Sequence, residues 1–313
     1  MRKLLAAGIG AAMAVITIAH AAAPETASYK VGLATRAFTP AGPYDWRGGA
    51  NHKLTATVGY PGAASAEEKP RQVGAPGEPL FEGVRVATGA AIVAPPEKFP
   101  LVVLSHGTGG TAETLAWLGT ALAARGYIAA AVNHPGNNAI DGYTIPGFTL
   151  WWLRARDLGA VIDGMLADPR FGARIDPQRI GAAGFSLGGY TVIELAGGVT
   201  SMAQFGAFCA SPEADGMCKS PPEFADLLAK SQALAKSDPA YAAALAKDGE
   251  TYRDPRVRAV FAMAPALGPA FTPQSLAGIA MPMAIAAGAG DEVVPIGSGA
   301  RALAARIPKA ELT

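Results

Sequence analysis

Ile180-Gly181-Ala182-Ala183-Gly184-Phe185-Ser186-Leu187-Gly188-Gly189 is the stretch whose reading decides the fold. Its apolar start has strand character, and Tyr190-Thr191-Val192-Ile193-Glu194-Leu195 continues it with helical character. Between the two, G-x-S-x-G forms a tight strand-to-helix turn that holds a serine hydroxyl out at the carboxyl end of the strand. Ser186 is therefore the candidate nucleophile. Leu187, whose N–H follows it, is a candidate oxyanion donor. With 38 glycines in the chain, the bare motif is a modest signal; its flanks give it weight.

A second stretch, Leu101-Val102-Val103-Leu104-Ser105-His106-Gly107-Thr108-Gly109-Gly110, has the same form, a buried-type strand and then a glycine-rich turn. Acyl transfer builds negative charge on a carbonyl oxygen, and two preorganised backbone N–H groups can hold it. Thr108 is the expected partner of Leu187 in that task, with Gly109 second. A helix is expected over about 111–125, a strand over 127–133, the turn His134-Pro135-Gly136-Asn137-Asn138, and a helix over 150–167. Later strands are expected at 257–263 and 281–287, and a last helix near 297–306. Short apolar strands spaced by helices predict an α/β protein with a mostly parallel central sheet and helices on both faces. Ahead of these, 53–60 and 81–93 read as an antiparallel start, with 61–79 as loop. Residues 198–254 break the alternation and read as a helical insertion after the nucleophile helix. Its Ala/Leu/Lys-rich part, 223–246, either covers the carboxyl edge of the sheet as a lid or packs elsewhere.

A serine nucleophile needs a base, and the base needs an acid to orient it. Asp291, in Gly288-Ala289-Gly290-Asp291-Glu292, is the candidate acid and Glu292 its fallback; a turn-forming aspartate is the plain alternative. In this chain order the histidine follows the acid, yet no histidine occurs after His134. His106 and His134 follow strands that precede the nucleophile, where a ring bonded to loop backbone fits better than a base. His20 lies in the leader and His52 ahead of the main sheet. Glu311-Leu312-Thr313 reads as the start of a further strand. The expectation is a C-terminally truncated chain that lacks its last strand, the histidine loop and a closing helix, and that turns over little as it stands. Two other readings stay open: a binding protein without chemistry, and an amidase or peptidase. Tyr143, Phe148, Trp151 and Trp152 either line an acyl pocket or belong to the core, with the core preferred.

Of 313 residues half are hydrophobic and 16% charged, and the formal net charge is +1. One large domain can bury a full apolar core without cofactor or metal, and without a basic stripe nucleic acid is not an expected partner. Residues 1–23 read as a signal peptide: Arg2 and Lys3, an apolar run over 4–18, then Ala19-His20-Ala21 for cleavage. That run is shorter than the roughly 20 residues a membrane span needs. The remaining domain, 24–313, is therefore expected in the periplasm or secreted, with no stable membrane insertion after cleavage. In an oxidising compartment Cys209 and Cys218, the only cysteines, are expected to form a disulfide. No histidine lies near them in sequence, so a zinc site is unsupported.

These residues resemble the α/β-hydrolase superfamily, and within it the predicted dienelactone hydrolases and their platelet-activating-factor acetylhydrolase-like relatives. The resemblance runs from about Tyr29 to the end. It is carried by Leu101-Val102-Val103-Leu104-Ser105-His106-Gly107, Asn133-His134-Pro135-Gly136-Asn137, Gly184-Phe185-Ser186-Leu187-Gly188-Gly189 and Met263-Ala264-Pro265-Ala266. It implies the α/β-hydrolase fold and a cofactor-free Ser-His-Asp enzyme acting on small-molecule carboxylic esters. True dienelactone hydrolases carry cysteine where this chain has Ser186, so dienelactone is not the expected substrate.

Overall fold

The computed structural model describes residues 28–75, 78–94 and 98–313; the expected signal peptide lies outside them. Four strands come first: β1 (Lys30–Phe38), β2 (Leu54–Gly62), β3 (Lys69–Ala75) and β4 (Glu78–Thr88). The alternating part follows with β5 (Phe99–Ser105), α1 (Ala116–Ala124), β6 (Ile128–Val132), the short hairpin β7 (Asn137–Asn138) and β8 (Gly142–Tyr143), α2 (Ile145–Thr149), α3 (Leu153–Ala167), β9 (Ile175–Phe185) and α4 (Leu187–Ala196). The insertion supplies α5 (Met202–Cys209), α6 (Leu227–Ser237) and α7 (Pro239–Leu245). The chain then returns through β10 (Val257–Met263), α8 (Pro273–Ala277), β11 (Met283–Ala286), α9 (Ala302–Ala304) and β12 (Ala310–Leu312).

One sheet, in the order β12-β11-β10-β9-β5-β6-β2-β1-β4-β3, organises the molecule. From β12 to β6 every pairing is parallel. β2 joins antiparallel to β6 and to β1, β4 lies parallel to β1, and β3 closes the edge antiparallel to β4. Both faces are apolar because alternate strand residues point to opposite sides. Leu101 and Val103 of β5, Ala130 and Val132 of β6, and Ala182 of β9 meet Leu158, Val161 and Ile162 of α3 and Val192 and Ile193 of α4. Their neighbours Leu104, Ala129, Ala131 and Ala183 meet Leu115 and the side chains of Leu118 and Leu122 on α1. Each buried Leu, Ile or Val contributes about 1.5–3 kcal/mol relative to exposure. The α/β-hydrolase fold is the result.

Residues 69–75, expected as loop, are β3. Lys69-Pro70-Arg71-Gln72 lacks apolar alternation because β3 is an edge strand, paired only with β4. The helix expected over 150–167 begins at Leu153, with Trp151 and Trp152 in the turn before it. Phe148 and Trp152 are core, and Trp151 packs between Tyr190 and Phe205. Of that aromatic group only Tyr143 is substantially exposed, at 40%.

Where α4 hands over to the insertion, a carboxyl is sealed inside. Glu194 is fully buried, and one oxygen accepts from Thr200 Oγ1 at 2.9 Å, while its Oε1 has no partner among the described residues. Burial pushes its pKa from 4.5 up to about 8, against the opposing pull of its hydrogen bonds. In the unfolded chain the carboxyl ionises near 4.5, whereas the native state keeps the proton to about 8. This group's contribution is thus complete below pH 4.5 and falls as pH rises to about 8, at roughly 1.4 kcal/mol per pH unit. Denaturant unfolding of wild type and Glu194→Gln across pH 5–8 is expected to show that slope in wild type only; parallel curves would refute it.

Candidate functional site

Ser186 joins β9 to α4 with φ 55° and ψ −118°, a positive φ that is uncommon for a side chain-bearing residue. Its N–H donates to the Met263 carbonyl at 2.9 Å, and its own carbonyl accepts from Tyr190 N–H and Ala266 N–H, each at 3.1 Å. The hydroxyl bonds to nothing among the described residues. Glycine at the flanking positions is a steric requirement. A Cβ on Gly188 would stand 1.9 Å from the Ser105 carbonyl oxygen, and one on Gly184 would stand 2.1 Å from the Gly188 oxygen. The turn Met263-Ala264-Pro265-Ala266 wraps the elbow from β10, with Ala264 also at positive φ, 41°.

The loop after β5 lies against this elbow: a Cβ on Gly107 would be 3.3 Å from Ser186 Cβ. Gly109, at φ 63°, has both peptide groups engaged. Its N–H donates to Asn137 Oδ1 at 3.0 Å and its carbonyl accepts from Tyr143 OH at 2.9 Å. Thr108 is exposed, and its N–H has no acceptor among the described residues. Of the two residues considered from sequence, Gly109 therefore has its donor committed and Thr108 does not.

Asp291 lies in the loop after β11, two strand spacings or about 10 Å from β9 at the same edge. Its Oδ1 accepts from Val293 N–H at 2.9 Å and Val294 N–H at 2.8 Å, the plain turn-forming arrangement. Its Oδ2 bonds to none of the described residues and remains available to orient a base. Cys209 and Cys218 are joined by a disulfide, as expected. The short segment they enclose packs on the acid loop. Ser298 Oγ donates to Asp215 Oδ2, Gly216 abuts the Glu292 carbonyl, and Leu267 N–H points to Met217 Sδ at 3.2 Å. Further along the insertion, exposed Glu223 reaches Gly109, with an oxygen 2.9 Å from where a Cβ would stand, and Phe224 packs on Phe148.

The histidines are placed elsewhere. His106 is buried, its Nδ1 2.6 Å from the Gly107 carbonyl and its Nε2 accepting from His134 N–H at 3.3 Å; the expected bond to loop backbone is present. His134 is also buried, and sequence reasoning missed its surroundings. Its Nε2 is 2.8 Å from Ser105 Oγ and its Nδ1 2.7 Å from Asp157 Oδ2, a Ser-His-Asp set by distance. All three side chains are 0% exposed, Arg47 pairs with the same aspartate oxygen at 2.5 Å, and Arg154 donates to Ser105 Oγ at 3.4 Å. Burial, then Arg154, hold both histidines well below the usual range, so both are neutral. A substrate has no route to Ser105. The available signal was Arg154 and Asp157 on the apolar stripe of α3, beside Leu153, Leu158 and Val161. His52 stacks on Trp46 near β2, three strands from β9. Among the described residues no group of His, Cys, Asp and Glu could hold a metal ion, and no helix is long and apolar enough to cross a membrane.

A serine held at positive φ after a central parallel strand, faced by a glycine-rich loop from the next strand, is the strand-turn-helix geometry of the α/β-hydrolase fold. Comparison with known proteins finds partial sequence matches and one likeness of fold. Residues 83–147 match the family model of platelet-activating factor acetylhydrolase, isoform II, a span that holds the 106–110 loop and ends before Ser186. The chain is 37% identical over 84 residues to Lipase 1 of Moraxella sp. (strain TA144), covering 27% of this chain and 23% of that protein. It is 32% identical over 112 residues to the cutinases est1 and est2 of Thermobifida alba, covering 34% of either partner. The matches thus span about a quarter to a third of the length of these relatives. A solved ferulic acid esterase from Streptomyces cinnamoneus superposes with a TM-score of 0.58 at 22% identity, over 93% of this chain and 74% of that one, a likeness of fold. The chain has the α/β-hydrolase fold, and its partial sequence matches are to lipase, cutinase and acetylhydrolase proteins.

Because the elbow touches β5 through backbone atoms, Gly188→Ala is expected to unfold the elbow or force it apart. Thermal melting should drop by several degrees, corresponding to at least about 2 kcal/mol. An unchanged melting temperature would contradict the contact.

Proposed function

We propose that this protein hydrolyses carboxylic esters through an acyl-enzyme on Ser186. The observation that carries the reading is the Ser186 backbone, held at φ 55° with its hydroxyl unbonded at the carboxyl edge of β9. Ser186 Oγ attacks the ester carbonyl and gives its proton to a general base; the tetrahedral oxygen is held by the N–H groups of Leu187 and Thr108. The carbonyl–alkoxy bond breaks, the alcohol leaves with that proton, and water releases the acid by the reverse sequence. Asp291, through Oδ2, would orient the base as an imidazole. The expected small-molecule ester would lie between Tyr143 and Phe185, 40% and 48% exposed, with the 222–224 segment of the insertion as a wall or lid. The disulfide supports activity in an oxidising compartment, as the leader suggests.

One observation favours a second reading, a binding protein on the hydrolase fold: His106 and His134 are sealed and doubly bonded, and His52 is three strands away. None of the three is assigned as base to Ser186. Labelling with a fluorophosphonate and p-nitrophenyl acetate hydrolysis separate the readings. Label is expected on Ser186 and absent from Ser186→Ala; equal labelling of the two ends the proposal. Asp291→Asn, which keeps the oxygen that caps the turn and loses the charge, is expected to slow acylation by about 10²–10⁴-fold. His52→Ala is expected to leave the rate unchanged, and its loss would identify the base.

A further inference from the structure

We propose that Asn137, backed by Arg154, is a positioning residue that sets the oxyanion loop by occupying the one backbone donor that would compete with Thr108. The inference rests on the esterase reading above and deepens it. Asn137 Oδ1 accepts from two directions, from Gly109 N–H at 3.0 Å and from Arg154 Nη1 at 3.1 Å. Its Nδ2 donates to the Gly147 carbonyl at 3.2 Å, which fixes the amide orientation. Arg154 Nη2 donates to the His106 carbonyl, so one buried guanidinium grips the loop directly and again through Asn137. Asn137 and Arg154 are both fully buried beneath a loop whose outer residue, Thr108, is exposed.

The sealed Ser105-His134-Asp157 set has its place in the same device. Asp157 ties α3 to Arg47 and to His134, and His134 holds Ser105 by its ring and His106 by its backbone N–H. Arg154 Nε apart, the buried side chains under the loop are paired with it or with one another, and the loop cannot shift without leaving more buried donors unpaired. From the outer side Tyr143 OH takes the Gly109 carbonyl. With both Gly109 peptide groups engaged, the preceding N–H, that of Thr108, is left on the exposed side of the loop for a substrate oxygen. An oxyanion donor displaced by about 1 Å costs on the order of 10²-fold in rate.

The test measures fluorophosphonate labelling rate and p-nitrophenyl acetate kinetics per folded molecule, with thermal melting alongside. Asn137→Ala is expected to lower the labelling rate and kcat by about 10²-fold with KM nearly unchanged, because only the transition-state oxyanion is affected. Asn137→Asp keeps the accepting oxygen for Gly109 and Arg154 and is expected to recover all but about tenfold of the loss. Labelling of Asn137→Ala at the wild-type rate, or equal impairment of the two variants, overturns the proposal. Should Asn137→Ala fail to fold, Tyr143→Phe decides. It removes only the outer hydroxyl and is expected to lower kcat severalfold with melting unchanged, and a wild-type kcat overturns the clamp. If Ser186→Ala still takes label, the esterase reading fails instead. If Ser186→Ala takes none while Asn137→Ala labels normally, the clamp alone fails.

Discussion

The approach of Gly188 to the Ser105 carbonyl is the contact on which the site depends. It brings the start of α4 against the end of β5 with no room for a side-chain carbon. Once these backbones meet, the residue between Gly184 and Gly188 must turn through a positive φ, which costs Ser186 about 1–3 kcal/mol. Three backbone hydrogen bonds to Met263, Tyr190 and Ala266 offset that cost. Two of them reach the strand end and turn of β10, so β5, β9 and β10 hold the serine together. A serine fixed by three neighbouring strands has little freedom to leave its position.

Below the elbow the physics changes from apolar packing to polar satisfaction. The strand ends give way to loops whose N–H and C=O groups lack ladder partners, and these groups lie away from water. An apolar helix face could cover them only by leaving them unpaired. α3 instead presents Arg154 and Asp157 from the stripe that elsewhere carries Leu158, Val161 and Ile162. Distances of 2.8 and 2.7 Å about His134 arise from this requirement. A Ser-His-Asp set defined by distance alone therefore does not identify a catalytic triad; access to Ser105 is what is missing, and Ser186 has it.

The parts of the fold that could be read in the sequence follow from periodicity and glycine. The strand stretches 101–105, 128–132 and 180–184 are apolar on both faces, so their parallel, covered environment shows in their composition. β1 and β3 did not show, because neighbouring strands and solvent, rather than any internal pattern, decide their pairing. The elbow, the 106–110 loop and the disulfide were legible because glycine and cysteine mark geometry few other residues allow. The roles of Asn137, Arg154 and Asp157 were not. A polar residue names its partners only once helix and loop are brought together, and Arg154 and Asp157 lie 17 to 49 residues from Asn137, His134, His106 and Ser105.

The disulfide takes its meaning from what its loop touches. Closing a segment with a sequence separation of 9 removes unfolded-state freedom worth roughly 3 kcal/mol, a modest gain for a domain this size. The enclosed Asp215, Gly216 and Met217 reach three places at once: Ser298, the backbone of Glu292, and Leu267 beyond the elbow turn. Without the bridge, those contacts would have to order a polar, half-exposed segment unaided, at about 1–2 kcal/mol of backbone entropy per residue. With it, the segment is ordered in advance and braces the loop of Asp291 against the turn that holds Ser186. The insertion is therefore part of the framework around Ser186 and Asp291 at this end, whereas at the 222–224 end it only borders the 106–110 loop.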